Sequence, residues 1–378
     1  MYKFNFDKKL NDFLSIVVKC ASECNFNVYI VGGAVRDYFL NVPVKDIDLI
    51  VEGNALEFSK LLPECIKIKS IHKDFATVKV EYEDITFDIA STRIEKYPYS
   101  GCLPQVIKVG VDIKKDVTRR DFTVNSLYFK LSLADNTLNY ELIDFYSGVG
   151  DISKKELKVL HNKSYIDDPT RILRGVGLKY RFGFDFSNND KKLISDYLDN
   201  INRDNMSVDR CETVFYDTLL ISPLKVFNEL VANNYYRIIS PEEINFDFNR
   251  IKKCIDMFNL ENSEQADFLM KIIADKPVDA EGFKTNLEIF QGFKKYKTIE
   301  ELAYYYYKTQ DCSVIKYLSF KDVKIHLNGD DLINLGYTQG KLFSEIFNRL
   351  YAYKLDNTDK IMNKNDEIKF VKTVFPIN

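Results

Sequence analysis

Two acidic residues, Asp46 and Asp48, stand one residue apart in the apolar run DIDLIV (46–51). A β-strand alternates its side chains between two faces, so both carboxylates point one way and Ile47 and Leu49 the other. Side by side they repel, and each raises the other's pKa unless a cation sits between them. Mg2+ suits such a pair, because it takes oxygen ligands and binds through one or two carboxylates together with substrate phosphates. Just upstream, VYIV (28–31) reads as a short buried strand, followed by Gly32, Gly33 and a short helix over 34–40. Glycine lets the backbone come close to a ligand, and amides at a helix start attract phosphate. Arg36 is spaced to reach the same phosphates. A phosphate cradle beside a metal pair is the equipment of in-line nucleotidyl transfer.

The elements that must position these groups can be read outward from them. Leu10, Phe13, Leu14, Val17, Val18 and Ala21 line one face of a packing helix over 7–24. Asn54 caps a helix over 55–62 that stops at Pro63. Two β-type runs, 75–82 and 85–90, are joined closely enough for a hairpin, and the second brings Asp88 as a third carboxylate. Pro98, Ser100, Gly101 and Pro104 make 92–118 a turn-rich, mobile loop beside the site. RRDFTVNSLYF (119–129) has an Arg-Arg pair and then a helix-like run in which Phe122 is a core residue. In DDPTRILRGVGLKYRFGF (167–184), Asp168 before Pro169 is a strong helix start, with Asp at the cap and Pro at the first helical position. Three residues apart, Asp168 and Arg171 then share a helix face. Gly177 weakens that helix by roughly 0.5–1 kcal/mol relative to Ala and implies close packing or a bend. From about 187 onward the pattern is helical, with Tyr304 to Tyr307 a mixture of core and surface positions.

These motifs together resemble the class II tRNA nucleotidyltransferase and bacterial poly(A) polymerase family, within the polymerase-β-like nucleotidyltransferases. GGAVRDYFL followed by DIDLIV is similar to its first motif and RRDFTVNSL to its second, while DDPTR and SVDR match its base-reading and neck segments. IDFYSG stands where the family has a DPFGG turn, and GDDLINLGYTQG resembles the tail of the CCA-adding branch. The resemblance implies an α+β fold: a head with a mixed β-sheet, then an all-helical neck, body and tail, divided as 1–150, 151–220, 221–320 and 321–378. It implies addition of C and A to the tRNA 3′ end from CTP and ATP, without a template. Asp46 and Asp48 would hold Mg2+, with Asp88 a third catalytic carboxylate. Gly32, Gly33, Arg36, Arg120, Asp168, Arg171 and Arg174 would bind nucleotide. The 92–118 segment would be the flexible loop used in the change from C to A addition. Gly177 departs from a family arginine, with Lys179 or Arg181 as substitutes. Cytosine and adenine both present an amino donor beside a ring acceptor, which one Asp/Arg pair satisfies, whereas guanine and uracil reverse that pattern. Enzymes adding only A or only CC, a poly(A) polymerase, and an RNA-binding protein with a decayed head are the competing readings. The segment after the Asp-x-Asp, CIKIKSIHKDFATVKV, does not look like the basic stretch of the poly(A) branch.

Composition sets the outer limits. The 378 residues are enough for two to four domains, and 46% hydrophobic residues supply their cores. A net charge of −3 excludes a polycationic nucleic-acid coat, so any RNA contact rests on local basic surface. Seven cysteines without a CxxC pair, and three histidines, argue against a zinc site or disulfide framework and suit a reducing cytoplasm. No apolar run reaches the roughly 18 residues of a membrane span, and the first residues lack a signal-peptide core.

Overall fold

A computed structural model describes residues 2, 4, 6–44, 46–202, 206–358, 360 and 362–377. Two compact units form, Met1–Glu243 and Ile244–Asn378. The first opens with α1 (Lys8–Glu23), capped by the Asp7 side chain, which accepts from Leu10 N–H. β1 (Val28–Val31), α2 (Gly33–Phe39) and β2 (Asp48–Val51) follow. After α3 (Ala55–Phe58), capped by Asn54, come β3 (Lys67–His72), β4 (Thr77–Tyr82) and β5 (Ile85–Ser91). β4 and β5 form the expected hairpin, turned by Glu83 and Asp84 with φ of +45° and +67°. Two-residue turns with both φ positive match the twist of the strands they join.

The segment 92–118 is more ordered than its turn residues imply. β6 (Arg93–Lys96) and β7 (Gln105–Val109) pair as an antiparallel ribbon, then α4 (Ile113–Asp116) begins at an Asp112 cap. The longest stretch without regular structure is the tip, 97–104. The expected helix-like run after the Arg-Arg pair is one 3-10 turn, Thr123–Asn125, leading into β8 (Tyr128–Ala134). Tyr128, Phe129 and Leu131 pair with β1 in the middle of the sheet, and that tertiary pairing outweighs local preference. β9 (Thr137–Ile143) completes a seven-stranded sheet, β3-β4-β5-β2-β1-β8-β9. Only β2 with β5 is parallel, so the sheet is mixed.

One sheet face is covered by α1 and α3, where Phe13 stacks on Phe87 at 3.8 Å between ring centroids. The other carries a smaller apolar patch of Tyr29, Val31, Ile50, Val117 and Tyr128, and this face also carries the carboxylates. Helices α5 (Gly148–Lys154), α6 (Ser164–Asp167), α7 (Thr170–Phe182), α8 (Asn188–Asp199), α9 (Val208–Leu219) and α10 (Pro223–Ala232) complete the unit. The short strands β10 (Glu156–Leu157) and β11 (Asp185–Phe186) pair in parallel beside them.

α7 starts one residue later than the Asp-Pro signal implies, with Pro169 at the cap position. The Asp168 carboxylate still accepts the Thr170 N–H (3.1 Å), so the capping chemistry is as read. Gly177 is buried, with Ile221 Cδ1 3.3 Å from where a Cβ would stand. An arginine there would point into packing rather than into solvent. Lys179 bonds to Glu229 (2.9 Å) and Asp185 (3.4 Å), which leaves its charge spent on other groups.

The second unit is helical throughout its described residues: α11 (Phe248–Phe258), α12 (Asn262–Ala274), α13 (Asn286–Phe293), α14 (Ile299–Thr309), α15 (Ser313–Phe320), α16 (Gly329–Asn334), α17 (Lys341–Asp356) and α18 (Lys364–Val374). Tyr304 to Tyr307 are all buried, not a core and surface mixture, because α14 packs against both α11 and α12. Glu367 is fully buried; it accepts from His326 and Leu327 N–H (2.8 and 2.9 Å) and from Lys354. Among the described residues no helix is long and apolar enough to cross a membrane.

Candidate active site

The carboxylates meet by register. Asp48 opens β2 and lies directly beside Asp88 of parallel β5, with Lys79 of β4 next in the row, 4.0 Å from Asp88. Asp46 precedes the strand rather than lying in it, yet it stays close enough to act on Asp48 electrostatically. Crowding by surrounding protein strips water from Asp48 and raises its pKa, and the charges of Asp88 and Asp46 add to this while Arg120 opposes it. That is the signature of oxygens arranged for a cation. Among the described residues no three His, Cys, Asp or Glu side chains are drawn tightly enough to enclose an ion. Asp48 and Asp88, side by side, are oxygen donors of the kind a divalent metal takes together with substrate phosphates.

A single open cleft of about 470 Å³ runs from Asp48, past Gly32, Gly33 and Arg36, to Arg120, Asp168, Arg171 and Arg174. The nucleotide-binding candidates are thus brought together. Gly32 has φ of +67°, a conformation open to glycine, at the point where the chain leaves β1 for α2. Arg36 donates to Asp37 (2.7 and 2.9 Å) and Asn125 (2.7 Å), and its guanidinium lies 4.6 Å above the Phe182 ring. Asn125 in turn donates to Asp121 (3.2 Å), and Arg174 donates to Asp121 and to Asp168 (3.3 Å each). A polar chain of residues from both head and neck results, each guanidinium held by a carboxylate.

Asp168 and Arg171 do not act as a matched pair on one helix face. Asp168 is 2% exposed and is gripped by Arg210 through two bonds (3.0 and 2.7 Å), by Arg174 and by Thr170. Burial alone would raise its pKa; Arg174, Arg210 and Thr170 more than reverse that and hold the carboxyl well below the usual range. Arg171, 1% exposed, turns instead to Ser164 Oγ and the Arg119 carbonyl (2.9 Å), near the Tyr97 ring. Its Nε is buried without a hydrogen-bond partner among the described residues.

Sequence reasoning missed several members of the site. Arg210 was visible only as part of the SVDR segment, 42 residues beyond Asp168. Arg93, Glu95 and Tyr97 come from β6 and its tip, and Arg119 joins them. Glu95 accepts from Arg93 at 2.7 Å and lies 3.6 Å from Arg119. Asp116, fully buried behind Arg119 and Arg120, left no signal beyond a charged run.

Residues 28–158, the segment that builds this sheet and half the cleft, match the family described as Poly A polymerase head domain. Over that segment the chain belongs to the poly(A) polymerase head-domain family. Among curated relatives, an A-adding tRNA nucleotidyltransferase of Geobacter sulfurreducens is 27% identical over 413 aligned positions, covering 93% of this chain and 45% of the relative. One of the same name from Halalkalibacterium halodurans is 38% identical over 182 positions, covering 47% of this chain and 41% of the relative. The chain thus spans under half the length of either. A solved CCA-adding enzyme in its apo form superposes with a TM-score of 0.74 at 24% identity, covering 98% of this chain and 97% of the other. That likeness extends the family fold through the helical segments.

Proposed function

We propose that this chain is a template-independent tRNA nucleotidyltransferase that completes the 3′ CCA end from CTP and ATP. One observation carries the reading: a single cleft joins Asp48, which stands beside Asp88 in the sheet, with buried charged groups suited to a base edge. In this reading Asp46, Asp48 and Asp88 hold Mg2+, which when bound lowers the charge barrier to attack on the α-phosphorus. Gly32, Gly33, Arg36 and Arg120 line the triphosphate and sugar. Arg171, Arg174 and Asp168, which line the same cleft, meet the base. Because Asp168 is saturated by arginines, a cytosine or adenine amino group reaches its oxygens only by displacing one of those bonds. Selection then rests on whether the incoming edge repays that loss; guanine and uracil present a carbonyl there and do not. The neck (151–220) supplies the base-reading groups, the body (221–320) is helical packing, and the tail (321–378) binds tRNA.

A narrower activity, addition of the terminal A alone, has its own support: both relatives described above carry the A-adding name. Extension at single-nucleotide resolution separates the readings. tRNA ending before CCA, after C, or after CC is given CTP, ATP or both. Completion of all three to CCA, then arrest, is the expected result. Extension of only the CC-ending tRNA establishes the narrower activity. Long A tails on any RNA move the chain to the poly(A) branch. No incorporation by a protein that still binds tRNA overturns the enzymatic reading.

A further inference from the structure

Asp116 ends α4 behind the cleft wall and is fully buried. Its Oδ1 accepts from the Arg93 N–H (3.0 Å) and Arg119 Nε (2.9 Å), and its Oδ2 from the Tyr128 hydroxyl (3.1 Å). Arg120 Nη2 lies 3.5 Å from the same Oδ2. One carboxylate thus faces two guanidinium groups, a phenol and an amide. A buried group with so many donors is more than a space filler.

The consequence falls on Arg120. Its Nε donates to the Tyr128 hydroxyl at 2.7 Å, and its guanidinium lies 4.8 Å above the Tyr128 ring. Tyr128 and Asp48 both register with Val31, from opposite sides, so they share one row of the sheet face. Two strand spacings, about 10 Å, separate their backbones. Arg120 therefore stands over the same face as the metal-binding candidate, and both line the cleft. A guanidinium free to bend toward Asp48 would occupy the oxygens that a cation needs.

We propose that Asp116 is a positioning residue: the internal counter-ion that, with Tyr128, keeps Arg120 on the nucleotide side and off Asp48. The proposal rests on the reading of Asp46 and Asp48 as the metal pair. Replacing Asp116 by Asn removes the charge that faces Arg120 from behind. Asp48, on which Arg120 already acts, then competes with Asp121 for the guanidinium without opposition from behind.

Equilibrium Mn2+ binding to the full chain without nucleotide, read from the electron paramagnetic resonance of the free ion, tests this without relying on turnover. Asp116→Asn should weaken Mn2+ binding about five-fold or more, since a like charge has moved onto the site. Asp116→Asn combined with Arg120→Met should bind like Arg120→Met alone. Wild-type affinity in Asp116→Asn overturns the proposal, as does a double variant no better than the single, which marks a structural loss. If Asp116→Asn does not fold, Tyr128→Phe decides in the same scheme: weaker binding restored by Arg120→Met supports the proposal, and unchanged binding overturns it. A wild-type chain that binds no Mn2+ fails earlier, at the metal reading itself.

Discussion

Asp48, proposed above as a metal ligand, shows how such a side chain works against the stability of its own fold. Its pKa is raised in the folded chain by loss of water and by Asp88 and Asp46. A carboxyl with a raised folded pKa opposes folding at any pH above its unfolded value, because the charged form is less comfortable folded than unfolded. Asp48→Asn is therefore expected to raise the melting temperature in EDTA at neutral pH. Added Mg2+ should narrow or reverse the difference by stabilising only the wild type. A lower melting temperature for the variant in EDTA contradicts the electrostatic account. Asp168 has the opposite sign. Its depressed pKa contributes stability that is present above about pH 4, the unfolded value, and is lost as pH falls toward the folded one. Arg210→Ala leaves a buried carboxylate short of its two shortest arginine bonds, for a loss of about 3 kcal/mol in urea unfolding at pH 7. The penalty should shrink as pH drops below about 4; a penalty independent of pH points to lost packing instead. At this scale the sequence reveals groups that announce themselves by spacing, such as Asp46 with Asp48 or Asp168 with Arg171. It hides Arg210 and Asp116, whose roles exist only because distant segments fold against them.

At the scale of elements, α7 carries two glycines with different meanings. A Cβ at Gly175 would stand 2.3 Å from the buried Phe186 ring and 3.1 Å from Phe122, neither of which has room to move. A Cβ at Gly177 meets only the tip of Ile221 at 3.3 Å. Gly175→Ala should cost about 1–3 kcal/mol by overpacking. Gly177→Ala should leave stability unchanged or raise it by up to about 1 kcal/mol through helix propensity. Chemical denaturation of the two variants checks the contrast; equal effects would mean that helix propensity, not contact, governs this helix. The same contact logic explains what the sequence does and does not disclose about elements. Helix faces and caps such as Asn54 and Asp168 are local and legible. The β6–β7 ribbon and β8 are not, because Pro98 to Pro104 and the polar RRDFT run mask strands whose partners lie elsewhere in the chain.

On the scale of the whole molecule, the division at Glu243 and Ile244 gives each unit its own core. Four of the seven strands of the head sheet, β1, β2, β4 and β5, were readable from their apolar runs, and the helical remainder from its periodic pattern. The grouping of the neck helices with the head was not, since it depends on contacts such as α7 with α9. In the second unit, the buried Glu367 ties the start of α16 to α17 and α18. Glu367→Gln leaves Lys354 buried beside a neutral group and should lower the stability of this unit by about 3 kcal/mol. Hydrogen exchange should show faster opening within 244–378 and unchanged protection in the sheet of 1–243. Equal loosening of both would show one cooperative unit instead of two.

The polar chain from Asp37 through Arg36, Asn125, Asp121, Arg174 and Asp168 to Arg210 also bears on how binding responds to the solution around it. These guanidinium groups are neutralised by the protein's own carboxylates, not by dissolved anions. A nucleotide arriving there exchanges one fixed partner for another and sets few small ions free. Its affinity should then vary little with ionic strength, whereas a polyanion spread over solvated lysines sheds counter-ions and weakens steeply as salt rises. In the proposed function, the chain would in that way keep a steady grip on its small substrate while its hold on a large one loosens.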